Sequence, residues 1–244
     1  VDGTVTFSPA GIPPRDARVW ISGAAADLDG PLVFYWHGTG SDPTFEPPYG
    51  IGKPQMDAIL ALGGVIVAFF HDPAAGTFPW YLTAGGGKED DLLVADEALA
   101  CAIEKVGIDT THIHSMGMSA GGLMTAQMGY RRSAYIASIV PYSGGLFSSP
   151  PNQDPNNKFA AMIFHGGPSD EVVSVSFQQI SETLQADLAG SGHFAFICNH
   201  NGGHNIPTDA EPSVWQFFAA HPYGTNPSPY AGGLPAGFPS YCAL

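Results

Sequence analysis

The sequence predicts an α/β fold, a mostly parallel, doubly wound sheet with helices on both faces. Three observations carry this reading. Short apolar runs alternate with segments of helical periodicity along most of the chain. One run, Val65-Ile66-Val67-Ala68-Phe69-Phe70, is apolar without interruption, as a strand covered on both faces must be. Finally, Gly117-Met118-Ser119-Ala120-Gly121 reads G-x-S-x-G, with the strand-like run His112-Ile113-His114-Ser115-Met116 before it and the helix-like residues 122–128 after it.

Taken in order, residues 4–7 and 18–22 read as opening strands, separated by the turn-rich Gly11-Ile12-Pro13-Pro14. A strand over 32–36 leads into a Pro- and Gly-rich loop, 42–52, and a helix over 55–62. The 65–70 strand follows, then an irregular loop, 71–88, and a helix from Asp90. In that helix Leu92, Leu93, Ala95, Leu99, Ala100 and Ile103 suit a sheet-facing stripe. After the G-x-S-x-G turn come a strand over 137–140, a Ser/Pro/Asn-rich loop over 144–158 and a strand over 160–164. A helix over 175–188, a strand over 193–198 and a helix over 212–220 complete the pattern. Trp215, beside Phe217 and Phe218, is expected in the core. No repeat and no lid-sized insertion is seen. Residues 1–244 are expected to form a single catalytic domain, with 221–244 a proline-rich tail packed on it.

Strand, sharp turn and helix make a nucleophile elbow, which lifts a serine hydroxyl above the sheet edge. The competing reading is an ordinary glycine-rich turn. A serine is a weak nucleophile without a base, and the base needs an orienting carboxylate. On this architecture they follow in the order Ser, Asp or Glu, His. The loop after the 160–164 strand, His165-Gly166-Gly167-Pro168-Ser169-Asp170-Glu171, supplies Asp170 as the acid. Glu171 is its rival, and the non-catalytic alternative has Asp170 capping the helix that begins near Val175. The loop after the 193–198 strand holds two candidate bases, His200 and His204. His204 is favoured because Gly202 and Gly203 before it let the loop turn sharply. For the oxyanion, the backbone N–H of Ala120 and that of Thr39, in the turn His37-Gly38-Thr39-Gly40-Ser41, are the expected donors, with Gly40 as the alternative to Thr39. His37 is expected to shape that turn rather than to move protons.

Loops at the carboxyl ends of the strands should form the substrate site. Trp80 and Tyr81, with Phe78 in the same loop, and Tyr142, with Phe147 beyond it, are the candidate substrate-binding aromatics; packing in the core is the competing reading for each. His112 and His114 have formal metal spacing but no third ligand with a recognisable signature, so no metal is expected. Gly85-Gly86-Gly87 is not followed by the Lys-Ser/Thr of a phosphate loop, so no nucleotide or other cofactor is expected either.

The net charge is −14, with only 8 Lys plus Arg, which disfavours nucleic acid and anionic membranes as partners. It also favours neutral over highly charged substrates. The hydrophobic fraction of 44% fits a compact core, and no apolar run reaches membrane-spanning length. The first residue is Val1 rather than Met, so the chain is expected to be processed or trimmed. Of the three cysteines, Cys198 and Cys242 are expected to form a disulfide that pins the tail, with Cys101 a buried small hydrophobe in its helix. That disulfide implies a secreted, extracellular or periplasmic protein; three reduced thiols in the cytosol are the alternative.

Taken together, these stretches resemble the secreted serine esterases around the polyhydroxybutyrate depolymerase and feruloyl esterase families. The matching segments are the H-G turn after residues 32–36, the acidic helix and G-M-S-A-G-G of residues 90–122, the H-G-x-x-x-D of residues 165–170, and C-N-H-N-G-G-H-N-I-P at residues 198–207. The resemblance implies an α/β-hydrolase fold, no metal and ester hydrolysis by Ser119, Asp170 and His204. The first oxyanion loop reads H-G-T-G where many depolymerases have a cysteine after H-G, a departure that bears on a polyester substrate. The expected enzyme is a monomeric carboxylic ester hydrolase acting on polyesters or on feruloylated or acetylated polysaccharide. The alternatives are an aromatic polyester hydrolase, a serine peptidase of the same fold, and a catalytically silent binding protein.

Overall fold

The computed structural model describes residues 2–84 and 87–244; of the Gly85-Gly86-Gly87 run, Gly85 and Gly86 lie outside the described residues. The chain opens with β1 (Asp2–Phe7), β2 (Arg15–Ile21) and β3 (Gly30–Trp36), then α1 (Lys53–Ala61), β4 (Val65–Phe69) and α2 (Asp90–Val106). The elbow region is β5 (Ile108–Met118) and α3 (Ala120–Arg131), followed by β6 (Ser138–Tyr142) and β7 (Ala160–His165). A small antiparallel pair, β8 (Glu171–Val172) and β9 (Val175–Ser176), precedes α4 (Phe177–Gly190). The chain closes with β10 (Ala195–Asn199), α5 (Glu211–Ala220) and β11 (Cys242–Ala243).

Nine strands form one sheet in the order β1-β2-β4-β3-β5-β6-β7-β10-β11. The central strands from β4 to β10 are parallel, and antiparallel pairings occur at both ends, through β1 and β2 on one side and β11 on the other. The run read as uninterrupted apolar is so because both faces are covered. Along β4, Val65, Val67 and Phe69 face one core and Ile66 and Ala68 the other. Along β3, Leu32, Phe34 and Trp36 divide from Val33 and Tyr35 in the same way, as the two-residue period of a strand requires. Helices α2, α3 and α4 contribute to the first core, and α1 and α5 to the second. From β3 the chain goes to β4 on one side, and β5 then lies on β3's other side, so the loops leaving β3 and β5 diverge at the carboxyl edge. A crevice opens at such a switch point.

Three details differ from the sequence reading. In α2 the buried stripe is Leu92, Val94, Ala95, Ala98, Leu99 and Ala102, whereas Leu93, Ala100 and Ile103 face solvent. The cause is Asp91, which is buried because its carboxylate accepts from Arg15 Nη1 at 2.9 Å and from the Tyr81 N–H at 2.8 Å. A buried ion at the first turn rotates the inward face away from a purely apolar stripe, since an unpaired charge there would be far more costly. Cys101 is consequently only half-buried, on the flank of that face. Trp215 is likewise half-buried, packed against the second core from its edge.

Cys198 and Cys242 form a disulfide, and they sit opposite one another in the β10–β11 register. The tail is thereby fixed to the strand that leads into the His204 loop, with Tyr230 buried and Phe238 and Tyr241 packed on the second core. The bond closes a sequence separation of 44 residues. Loop closure of this length stabilises a fold by roughly 2–4 kcal/mol, so reduction is expected to lower Tm by roughly 5–15 °C. Calorimetry with and without reductant checks this, and an unchanged Tm with two free thiols gained would show the bond to be dispensable.

Candidate active site

Ser119 joins β5 to α3 with φ 58° and ψ −120°, a region an L-residue occupies only when its surroundings enforce it. Two hydrogen bonds hold it there. Its N–H donates to the Tyr142 carbonyl at 2.9 Å, and its own carbonyl accepts from the Leu123 N–H at 2.9 Å, closing the first helical turn. The flanking glycines are required by close approach rather than by conformation. A Cβ on Gly117 would stand 2.4 Å from the Trp36 carbonyl oxygen, and one on Gly121 would stand 1.9 Å from it. Any side chain at either position would drive the elbow off β3. Gly38, in the turn after β3, is nearly as constrained, since its Cβ would lie 3.1 Å from the Met118 oxygen and 3.3 Å from Ser119 Cβ.

Asp170 and His204 meet above the ends of β7 and β10. His204 Nδ1 donates to Asp170 Oδ1 at 2.7 Å. The other carboxylate oxygen, Oδ2, accepts from the Gly166 N–H and the Ser143 hydroxyl, both at 2.8 Å. Asp170 is buried, and burial alone would push its carboxyl up, but the donors from His204, Gly166 and Ser143 outweigh it and hold the carboxyl below its ordinary range. The carboxylate therefore stays ionised and fixes the His204 tautomer with Nε2 free to accept a proton. Glu171, the rival acid, is exposed in the short β8 strand. The helix that Asp170 might have capped is capped by Ser176, whose hydroxyl accepts from the Gln179 N–H at 3.3 Å.

The loops carrying these two residues cross closely. The Gly203 N–H donates to the Gly166 carbonyl at 3.0 Å, and a Cβ on Gly166 would lie 1.8 Å from the Gly203 oxygen. Phe177 packs on the His204 ring with centroids 4.6 Å apart. His200 plays a different part: its Nδ1 accepts from the Gly202 N–H at 3.2 Å, bracing the turn that delivers His204, and burial pushes its pKa down. The Ser119 hydroxyl and His204 do not hydrogen-bond in this structure. In unliganded sites that contact is commonly long and tightens with substrate.

The amides of Ala120 and Thr39, the two expected oxyanion donors, make no hydrogen bond to a protein acceptor among the described residues. The Thr39 turn is shaped from beneath. His37 Nδ1 donates to the Gly38 carbonyl at 2.8 Å, the Ser41 N–H returns to the same oxygen at 3.1 Å, and His71 Nδ1 reaches His37 Nε2 at 3.3 Å. Burial lowers the pKa of His37, keeping it neutral in that role.

The three aromatics assigned to substrate are placed otherwise. Trp80 is fully buried, edge-on to Trp36, with Nε1 donating to the His37 carbonyl at 2.9 Å, so from the core it supports the turn that carries Thr39. Tyr81 is buried with its hydroxyl on Asp72 at 2.7 Å. Tyr142 is buried, stacked on Phe164, and donates to the Gly50 carbonyl at 3.1 Å. Tyr142, at the end of β6, is claimed by a sheet covered on both faces, whereas Trp80 and Tyr81 are drawn inward from their loop by the His37 carbonyl and by Asp72 and Asp91. Phe78 and Phe147 are exposed but do not line the cleft beside His204. That cleft, of about 580 Å³, runs from Met118 and His204 to Phe45, Tyr49 and Ile206. Phe45 and Tyr49 escaped the sequence reading because a Pro- and Gly-rich loop has no periodicity to mark a face; their one signal was two aromatics within a loop leaving a central strand.

His112 and His114 also have structural partners, Asp109 at 2.7 Å and the Ser138 hydroxyl at 2.9 Å. Among the described residues no group of three His, Cys, Asp or Glu side chains is placed to hold a metal ion, and no helix is long and apolar enough to cross a membrane.

The sheet order, the elbow and the loop positions decide the architecture. The chain has the α/β-hydrolase fold. No protein-family model and no curated protein sequence matches it. Solved structures do match in shape. Native pOPH superposes with a TM-score of 0.77 at 16% identity, over 100% of this chain and 93% of that one. A ferulic acid esterase gives 0.65 at 16% identity, over 89% and 96%. The acylaminoacyl peptidase of Pyrococcus horikoshii gives 0.63 at 14% identity, over 91% of this chain and 41% of that one. One α/β-hydrolase scaffold thus carries an esterase and a peptidase, and chemistry must be argued from the site.

Proposed function

We propose that this chain is a secreted serine ester hydrolase, acting through Ser119, His204 and Asp170 on polyesters or ester-substituted polymers. The observation that carries the reading is the Asp170 carboxylate, buried, bonded to His204 at 2.7 Å, and set at the same sheet edge as the strained Ser119 elbow. In the reaction, Ser119 Oγ attacks the ester carbonyl while His204 Nε2 takes its proton. Asp170 stabilises the imidazolium, and the N–H groups of Ala120 and Thr39 receive the oxyanion. His204 then protonates the leaving alcohol. Water, deprotonated by His204, attacks the acyl-enzyme and releases the acid and the free serine. A disulfide in the fold supports secretion, and the open cleft, uncovered by any lid among the described residues, suits a polymer chain. The acylaminoacyl peptidase of the same fold keeps a peptidase reading in contention. Turnover of a short p-nitrophenyl ester against a blocked aminoacyl anilide separates the two: ester turnover with no anilide cleavage is expected, and the reverse, or neither, would overturn the proposal.

A further inference from the structure

The cleft beside His204 has a composition that fits one kind of substrate. Phe45 and Tyr49 are each 45% exposed, unusual for large aromatics in a molecule whose other rings are mostly interior, and their ring centroids are 4.6 Å apart. Pro47, Pro48, Ile51 and Ile206 continue the apolar wall. The cleft's polar side chains are the carboxylates of Glu46 and Glu211 with His204, Asn205 and Thr208, and the lining contains no lysine or arginine. Glu46 is partly neutralised, since it accepts from Arg18 at 3.1 Å and from Trp20 Nε1 at 3.3 Å. Glu211 has no hydrogen-bond or ion-pair partner for its carboxylate among the described residues. It stands over the start of α1, where a Cβ on Gly52 would meet its Oε2 at 2.3 Å; burial pushes its carboxyl up, so its full negative charge is present only above the ordinary carboxylate range. A second negative charge brought into this cleft would meet the unpaired Glu211 carboxylate, with Arg18 already engaged by Glu46 and no lysine or arginine in the lining.

Building on the ester hydrolase reading, we propose that this cleft is the substrate subsite for an uncharged aromatic or apolar ester chain, with Phe45 and Tyr49 as its clamp and Glu211 as the group that excludes carboxylate-bearing esters. Exposed rings in a cleft continuous with His204 have apolar surface to bury only when a substrate lies on them. Specificity then comes as much from the rejected anion as from the accepted ring. For a polymer, this selects internal ester bonds over those next to a free acid end.

Two probes differ in charge alone at the point of interest: dimethyl terephthalate and its monoacid, monomethyl terephthalate. Their binding to the Ser119→Ala protein is measured by calorimetry at pH 8, so that the result is independent of turnover. The diester is expected to bind about tenfold tighter than the monoacid. Adding Glu211→Gln should bring the two toward equal affinity, chiefly by tightening the monoacid. Adding Phe45→Ala or Tyr49→Ala should weaken the diester about fivefold. Equal affinities at the outset, a ratio unmoved by Glu211→Gln, or a diester indifferent to both aromatic truncations would each overturn the assignment. The same pair assayed as substrates of the Ser119 protein keeps the two proposals distinct. Selective binding without hydrolysis would remove the catalytic reading and leave the subsite, whereas hydrolysis without charge preference would do the opposite.

Discussion

Replacing Ser119 by Ala is expected to leave a folded protein whose ester hydrolysis is lower by roughly 10⁴- to 10⁶-fold, the loss seen when one member of an interdependent triad is removed. The fold should survive because the Ser119 hydroxyl makes no hydrogen bond among the described residues, and its backbone bonds to Tyr142 and Leu123 remain available to alanine. The loss should fall on kcat, since the cleft that binds substrate is untouched. His204→Ala should match it. His200→Ala should lose far less, because its ring faces Gly202 and Tyr241 rather than Asp170. The measurement is kcat and KM on a p-nitrophenyl ester, with circular dichroism as the check on folding. Near-full activity in Ser119→Ala, or a deeper loss in His200→Ala than in His204→Ala, would remove the assignment.

Much of this site was legible in the sequence because its signals are local. The elbow is marked by glycines at 117 and 121 that no other residue can replace beside the Trp36 carbonyl. The strand runs at 32–36 and 65–70 are marked by burial on both faces. Between Asp170 and Glu171 the sequence has nothing to say, because neighbours in a loop share every local property. The choice is made at long range, by Gly166 and Ser143 converging on one oxygen of Asp170 while His204 takes the other. The misplaced features have the same origin. Asp91 turns α2 because Arg15 lies seventy-six positions away in sequence but in contact in space. Trp80 looked like a loop aromatic, yet the carbonyl of His37 and the face of Trp36 draw it inward. The real cleft aromatics, Phe45 and Tyr49, sit where proline and glycine erase periodicity. Strand β11 is two residues long, paired to β10 across the Cys198–Cys242 disulfide, and a strand that short leaves no periodicity to read.

Mild acid should destabilise this protein before most of its carboxylates titrate. Burial holds the imidazoles of His37, His114, His165, His193 and His221 below their ordinary pKa, and His221 is lowered to about 4. His221 is boxed in by the Phe217 carbonyl at 2.8 Å, the Ser228 hydroxyl at 2.7 Å and the rings of Phe194 and Tyr230. His114 is stacked on Phe218 with a buried Nε2 that has no partner among the described residues. Below the ordinary histidine value of 6.5 the unfolded chain binds protons that the folded chain refuses, so stability must fall as pH drops from there. For His221 the loss grows until about pH 4, where its folded form also protonates. At pH 5 that one residue accounts for roughly 2 kcal/mol, from 1.36 kcal/mol per unit of separation. Asp170 acts in a lower window. Its depressed carboxyl contributes stability above the ordinary value of 3.8, lost only as pH falls through its folded pKa. Between pH 7.5 and 5 the histidines therefore govern the slope, and Tm is expected to drop by several degrees or more over that interval. His221→Gln should be less stable at pH 7.5, having lost fitted packing, but should show a visibly flatter decline. A Tm that holds steady down to pH 5, or a His221→Gln protein that declines as steeply as its parent, would show that these buried rings do not set the acid limit.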